Sequence, residues 1–425
     1  MALTLLPYQR AVGLLESLEP RGMKPGLERT EALLQALGEP HRGLRGVLVA
    51  GTNGKGSVCA TIESIARAAG LRTVMLTKPH LRTYCERIAV DGVAVSSDRF
   101  AETVQAVWDA ASSLPDDVQP TAFEMLTAAG LLVARQESPD VVICEVGLGG
   151  RLDSTNVVDL GVAVVTNVGL DHTDRLGDTL EAIAGEKAGI IKSGDTTVTG
   201  AEEPALSVIA ARSRELGAPL RVVSGVEGKA EGFAGVQLHT TFAGETIAVR
   251  APLIGDFQVS NIATAVAVCD VLREQGFGIT ADAVIAGCAR VQWPGRMQWF
   301  DLRPGVLVDG AHNPPGIAAL VRAARPLVGS RRTVAVFAAM RDKDVISMAA
   351  QLQRLHADAV VVTAPDVPRS TPPDELAALF TTAMTASSTR TALEQARLHA
   401  GDDGVVVVCG SLYLAGEALE VLEPV

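Results

Sequence analysis

Several features are missing from this 425-residue chain, and each absence narrows what it can do. Its six cysteines (Cys59, Cys85, Cys144, Cys269, Cys288 and Cys409) show no C-x-x-C pairing. Most lie inside apolar stretches such as "VVICEV" and "VVVVCG", the pattern of reduced core thiols in a cytosolic protein. No apolar run approaches the roughly 20 residues of a membrane helix, and Pro7, Arg10 and Glu16 interrupt the N-terminus too often for a signal peptide. The expected compartment is the cytoplasm, with no membrane partner. Positive charge is also short: the formal balance is −12, which argues against general binding to nucleic acid or an anionic surface. A polyanionic substrate would need a local cluster of cations instead. No low-complexity linker or short-period repeat breaks the chain.

With 48% hydrophobic and 20% charged residues, a soluble protein with a full core is expected, long enough for two or three domains. Strand-length apolar runs ("GVLVAG", "RTVMLT", "DVVICEVG", "VAVVTNVG") alternate with helical stretches such as "SDRFAETVQAVWDAASSL" and "TAFEMLTAAGLLVARQ". That alternation predicts an α/β fold with a largely parallel sheet and helices on both faces. "VQLHTTFAGETIAVR" reads as a β-hairpin turning at Ala243 and Gly244, and helices follow at "QVSNIATAVAVCDVLREQG" and "ADAVIAGCARV". "WPGRMQWF" shows a Pro-Gly turn and no helical period. A second α/β series begins there, so the expected domains are 1–295 and 296–425.

"VLVAGTNGKGS" runs from a buried strand through a glycine-rich turn into a helix, the setting in which backbone N–H groups and a helix N-terminus hold phosphate. It departs from G-x-x-x-x-G-K-[ST] twice: Val49 replaces the first glycine, and Gly56 delays the hydroxyl to Ser57. Glu145 ends an apolar strand before "VGLGGRLDSTN", where a carboxylate suits magnesium. Asp171 and His172 stand beyond another strand in "VVTNVGLDH". In "DTLEAIAGEKAGIIKSG", Leu180, Ile183, Ala184, Ile190 and Ile191 mark an apolar helical face, and Lys187 falls in phase with it. A lysine there must be paired, chemically altered, or snorkelling toward water. Gln258 and Asn261 share a helix face, Arg296 lies in a tight turn, and Asp309 and His312 follow a strand. Each of these could equally be a cap or turn residue.

Together, "GTNGKGS", "EVGLGGRLDSTN", "GLDH", "EKAGIIK", "PGRMQ" and "DGAHNP" occur in the order found in folylpolyglutamate synthases and dihydrofolate synthases of the Mur ligase superfamily. The chain resembles that family from about Arg29 to its C-terminus. The resemblance implies an N-terminal modified P-loop ATPase domain and a smaller Rossmann-like C-terminal domain. It implies ATP, magnesium (two ions) and a monovalent cation, with L-glutamate and dihydropteroate or a reduced folate as substrates of a monomeric ligase. Gly54, Lys55, Gly56 and Ser57 would hold the phosphates, with Lys55 acting on the transferring group. Ser57, Glu145 and His172 would be metal ligands. Lys187 would be carbamylated and face the metal. Asn261, Arg296 and Asp309 would contact the nucleotide, and His312 the reacting groups. Thr121, Ala122, Phe123 and Glu124, with Leu152, Asp153 and Ser154, would line the pteroate pocket.

One position departs from the family pattern. Its usual S-P-H-L segment reads Lys78, Pro79, His80 and Leu81 here, so an ammonium replaces a metal-ligating hydroxyl. Either a second metal is held differently, or Lys78 contacts phosphate or the substrate carboxylates. Ala338 in "VFAAM" is a lesser departure. The expected activity is ATP-dependent addition of glutamate to dihydropteroate and reduced folates through an acyl phosphate. The alternatives are a folylpolyglutamate synthase alone, a peptidoglycan-type Mur ligase, and a non-catalytic nucleotide-binding homologue. Gly56 and the short stretch before Val47 favour the folate branch.

Overall fold

The structure, a computed structural model, describes residues 7–19, 22 and 24–423. The chain forms two compact units, neither of them one continuous stretch. The first takes in the chain through Val226 with His239–Val249 and Ser260–Arg290; the second comprises Glu227–Leu238, Arg250–Val259 and Val291 onward.

The first unit is built on an eight-stranded sheet: β1 (Gly46–Ala50), β2 (Thr73–Leu76), β3 (Ile88–Val90), β4 (Val93–Ala94), β5 (Val141–Glu145), β6 (Val162–Val165), β7 (Thr196–Thr199) and β8 (Leu220–Val222). Their spatial order is β4-β3-β2-β5-β1-β6-β7-β8. Pairing is parallel from β2 to β8, and antiparallel only at the β2-β3-β4 edge. Every residue of β1, β5 and β6 is buried, as a strand covered on both faces requires. Trimming Leu48, 3% exposed, to alanine would cost roughly 2–5 kcal/mol.

Helices α1 (Pro7–Glu16), α2 (Glu28–Ala36), α3 (Lys55–Ala68), α4 (Ser97–Ala111), α5 (Ala122–Glu137), α6 (Thr173–Leu176), α7 (Leu180–Ala188), α8 (Ala205–Glu215), α9 (Gln258–Glu274) and α10 (Ala281–Arg290) accompany the sheet. Helix α5 starts where Thr-x-x-Glu allows a reciprocal cap, Thr121 and Glu124 each accepting from the other's backbone N–H. Helix α7 is shorter than its apolar phase suggests: it ends at Ala188, and Ile190 and Ile191 are buried beyond it in a turn. Gly189 explains the break. Its carbonyl accepts from Asn156 Nδ2 at 3.1 Å, and a Cβ there would collide with Arg151, so the 151–156 loop peels the chain off the helix.

The predicted hairpin is present as β10 (Val236–Phe242) and β11 (Glu245–Ala251), joined to β9 (Glu227–Ala230) in a three-stranded sheet. Its two turn residues, Ala243 (φ 53°) and Gly244 (φ 82°), both adopt the positive φ that a tight hairpin turn demands.

The second unit holds β12 (Gln298–Phe300), β13 (Gly305–Val308), β14 (Thr333–Phe337), β15 (Ala359–Val362), β16 (Ala383–Thr385) and β17 (Val405–Cys409), ordered β12-β13-β17-β14-β15-β16. All pairs are parallel except β12 with β13. "WPGRMQWF", read as a turn, therefore ends in an edge strand. Trp299 covers Gly305, where any side chain would clash, and stacks on Phe233 at 4.1 Å. Both units thus have the predicted α/β character.

Candidate active site

Strand order places the motifs. Because β1 lies between β5 and β6 and β2 follows β5, four consecutive carboxyl ends carry the loops at 77–80, 146–154, 51–57 and 166–172. Chain direction reverses its progress across the sheet at β1, the position where open α/β sheets collect ligands.

The turn after β1 depends on two glycines. Gly54 sits at φ 81°, ahead of Lys55, the first residue of α3, and a Cβ there would collide with Asn261 Oδ1 of α9. Gly51 approaches Thr166 too closely for any side chain. The loop after β6 braces the turn. Asn167 accepts from Asn53 N–H (2.9 Å) and donates to its carbonyl (2.9 Å), while Thr166 Oγ1 donates to that same carbonyl at 2.7 Å. Lys55 Nζ donates to Gly51 O (2.9 Å) and Thr52 O (3.2 Å), and Ser57 is buried one position after Gly56.

Glu145 pairs in register with Val49, so its buried carboxylate ends the strand beside the glycine turn. Its Oε2 accepts from Lys78 N–H at 3.0 Å. Farther along, Gly150 is pressed against Glu186 and Lys187 of α7. Lys187 itself is 3% exposed, so snorkelling is ruled out. Burial first, and then the Lys55 cation, push its amine down to about 7, with Asp171 pulling the other way. His172 takes a left-handed conformation (φ 50°, ψ 41°) at the start of α6, the kind of backbone strain that clusters at functional sites. Its N–H donates to Asp171 Oδ1 at 2.9 Å.

Among the described residues, no group of three or more His, Cys, Asp or Glu side chains could hold a metal ion. The predicted set of Ser57, Glu145, His172 and Lys187 thus offers one carboxylate, one hydroxyl, one imidazole and an amine that ligates only if modified. Magnesium commonly takes one or two carboxylates and completes its shell with water and phosphate oxygens. The oxygen donors Glu145 and Ser57 beside a phosphate-type turn fit that habit.

The predicted pteroate-lining residues divide into two kinds. Glu124 and Asp153 are spent on the fold. Glu124 is 3% exposed and is held by Arg29 (2.9 Å) and by Thr121 N–H and Oγ1. Asp153 takes Gly147 and Leu148 N–H on one oxygen, and Thr155 N–H and Oγ1 on the other. Phe123 instead meets Lys78, and Ser154 is linked to it through Thr127. The Lys78 ammonium lies 4.0 Å from the Phe123 ring centroid and donates to Thr127 Oγ1 at 3.2 Å, which is 2.6 Å from Ser154 Oγ. Its side chain therefore leads to α5. Ala122 opens α5 and Leu152 is exposed. Pro79 is exposed too, and His80 Nδ1 accepts from Arg87 Nε at 2.8 Å. Burial and then Arg87 push the His80 imidazole down to about 3, so it stays neutral.

In the second unit, "PGRMQ" and "DGAHNP" interlock. Asp309, just past β13, accepts from Met297 and Ala311 N–H (both 2.8 Å), and Gly310 N–H donates to Gly295 O at 2.8 Å. Burial raises the Asp309 carboxyl, while Arg296 pulls it down. His312 Nδ1 is 2.8 Å from Gly310 O.

Residues 49–269 match the Mur ligase middle domain, and residues 295–412 match the Mur ligase glutamate ligase domain. A Bacillus subtilis protein named dihydrofolate synthase/folylpolyglutamate synthase is 34% identical over 96% of this chain and 98% of its own length. The chain belongs to that family. A Halobacterium salinarum relative named "Probable bifunctional folylpolyglutamate synthase/dihydropteroate synthase" is 37% identical over 97% of the chain, which spans only 51% of that longer protein. Escherichia coli FolC, solved in complex with DHPP and ADP, superposes with a TM-score of 0.88 at 33% identity, covering 100% of this chain and 99% of that one. As a member of this family, the chain is an ATP-dependent, ADP-forming ligase.

Several residues escaped the sequence reading. Thr166 and Asn167, which shape the phosphate turn, are two of them. Thr127 lies one helical turn after Phe123, so the α5 face could have revealed it. Arg29 and Arg87 had no local signal, because their partners are distant or in a turn.

Proposed function

We propose that this chain joins L-glutamate to dihydropteroate and to reduced folates at the expense of ATP, as a bifunctional dihydrofolate synthase/folylpolyglutamate synthase. The observation that carries this reading is the side-by-side placement of the glycine turn at 51–57 and the 146–154 loop on neighbouring strands. Phosphate chemistry and an acceptor wall built on Phe123 and Ser154 then share one sheet end.

The substrate carboxylate attacks the γ-phosphoryl group to give an acyl phosphate, and the glutamate amine displaces phosphate from the acyl carbon. Backbone N–H groups at the start of α3 and the Lys55 ammonium hold the phosphates and offset their charge. Lys55 has a flexible stem, so its ammonium can leave the Gly51 and Thr52 carbonyls for an anion. A neutral Lys187 amine is the form that adds carbon dioxide to become a carbamate, turning a buried cation into an anion. Ser57, Glu145, His172 and the Lys187 carbamate would hold magnesium, which when bound supplies neutralising charge at the phosphates. Asn261 lies against Gly54 and is assigned to the nucleotide, as are Arg296 and Asp309. His312 is assigned to the reacting groups.

The test is to give the purified protein ATP, magnesium, glutamate and either dihydropteroate or tetrahydrofolate, and to follow ADP and product mass. Both acceptors should gain one glutamate. Extension of tetrahydrofolate alone would reduce the activity to folylpolyglutamate synthase, and no ADP release with any folate would overturn the reading.

A further inference from the structure

Both segments assigned to the acceptor wall, 121–124 and 152–154, lead to one neighbour. Helix α2 packs against α5 and against the short helical turn Ser154–Val157, with its Leu33 and Leu34 fully buried. Arg29, in the first turn of α2, makes this junction more than an apolar contact. Its Nε donates to Glu124 Oε1 (3.0 Å) and Oε2 (3.3 Å), and its Nη2 lies 2.9 Å from Oε1. The same Nη2 donates to the Lys24 carbonyl at 2.5 Å. One planar group therefore ties together the segment before α2, α2 itself and the start of α5.

The tie acts on Phe123 through its neighbour in sequence. Glu124 Oε2 accepts from Thr121 N–H (2.7 Å) and Oγ1 (3.0 Å), so the carboxylate that Arg29 holds also closes the first turn of α5. Phe123 lies inside that turn. Its ring tip abuts Gly147 so closely that any side chain there would clash, and the Lys78 ammonium sits over the ring at 4.0 Å. A ring held this closely tolerates little rotation of its helix end. Lysine in place of Arg29 could neutralise Glu124, but an ammonium lacks the fixed fork that spans a carboxylate and a carbonyl at once.

We infer that Arg29 is a positioning residue for acceptor binding: by clamping Glu124 and the Lys24 carbonyl it fixes the first turn of α5, and with it the Phe123 wall that the acceptor meets. The inference rests on the proposed function, which puts Phe123 against the acceptor. Arg29 reaches the acceptor only through Phe123, so its loss weakens acceptor binding equally in the ground state and the transition state. Such a loss shows in KM and leaves kcat in place. The phosphate turn at 51–57 is braced separately, by Thr166 and Asn167, so ATP binding lies outside the reach of Arg29.

The experiment measures kcat and KM for dihydropteroate, tetrahydrofolate and ATP in the wild type, Arg29→Met, Arg29→Lys and Thr30→Val, with folding followed by urea unfolding. Arg29→Met should raise the KM of every acceptor the wild type extends about tenfold, the loss expected for a hydrogen bond to a charged group. The kcat should change less than about threefold and the ATP KM less than about twofold. Arg29→Lys should recover part of the acceptor affinity. Thr30→Val is the adjacent control: it removes a fully buried hydroxyl that has no hydrogen-bond partner and should leave every KM unchanged. Unchanged acceptor constants, a loss in kcat alone, an equal rise in the ATP KM, or an equal effect of Thr30→Val would overturn the inference. If Arg29→Met fails to fold, the double variant Arg29→Met, Glu124→Gln leaves neither charge of the pair buried alone and makes the same comparison. A wild type that extends neither folate would instead overturn the proposed function.

Discussion

Lys187 on α7 and Lys78 on the loop after β2 are two lysines of one unit, and burial lowers the basicity of both. What comes next differs in sign. For Lys187 the second influence is another cation, Lys55, and the amine falls to about 7. For Lys78 the second influence is the Asp153 carboxylate, which raises it, and the ammonium also rests on an aromatic face and a hydroxyl. Burial by itself does not set a lysine's role; the sign of the neighbouring charge decides whether the push of burial toward the neutral amine is reinforced, as at Lys187, or opposed, as at Lys78.

The contrast can be broken most sharply by removing Lys187. Lys187→Ala should reduce ADP-forming ligation by about a thousandfold. A small carboxylic acid should restore part of that activity by standing in for the carbamate, and should do nothing for Lys78→Ala. Rescue of both variants, or of neither while both remain folded, would remove the distinction drawn here.

Gly54→Ala probes the cation beside Lys187. The new methyl must displace Asn261 and occupy a backbone with φ 81°, shifting the Lys55 end of the turn. ATP turnover should fall about a hundredfold, mainly through a higher ATP KM. An unchanged ATP KM would show that this turn does not hold the phosphates.

A third measurement uses pH on protein freed of carbon dioxide. Lys187 titrates at about 7 when folded and near ~10.4 when unfolded. Between those values the unfolded chain binds more protons, so this group makes stability rise with pH from about 7 upward. Lys187→Met should flatten that rise in urea unfolding and stabilise the protein by about 2 kcal/mol at pH 7. A variant that is less stable at pH 7 would contradict the burial cost assigned to Lys187. The smallest effect is expected at Thr127→Val, which removes the hydroxyl under Lys78. The dihydropteroate KM should rise about threefold with kcat held, and a fall in kcat would tie Thr127 to the chemistry instead.

Much of the site was legible because its signals are local. Strand, glycine turn and helix at 47–57 need only neighbouring residues, and Lys187 showed its burial through the phase it shares with Ile183 and Ala184. The Thr121 to Glu124 cap was equally readable as a capping box, and the structure shows that cap formed. What misled was distance. The end of α7 is cut by a loop some thirty residues earlier, and "QWF" becomes a strand only because β13 lies beside it.

Taken alone, the sequence determined the α/β class, the phosphate-type turn, the family and the presence of a lysine in an apolar helical face. The family follows from the resemblance of its motifs and their order along the chain, and each of the others from periodicity or from residues close together. Tertiary structure alone decided which acids are free and where the lysines point. Asp153 and Glu124 look available in the sequence but have their oxygens filled by donors that only folding brings near. Lys78 looks like a failed metal ligand until its stem is seen crossing to α5. A long side chain reaches beyond its own strand, and hydrogen-bond capacity is allocated in space, which no spacing along the chain records.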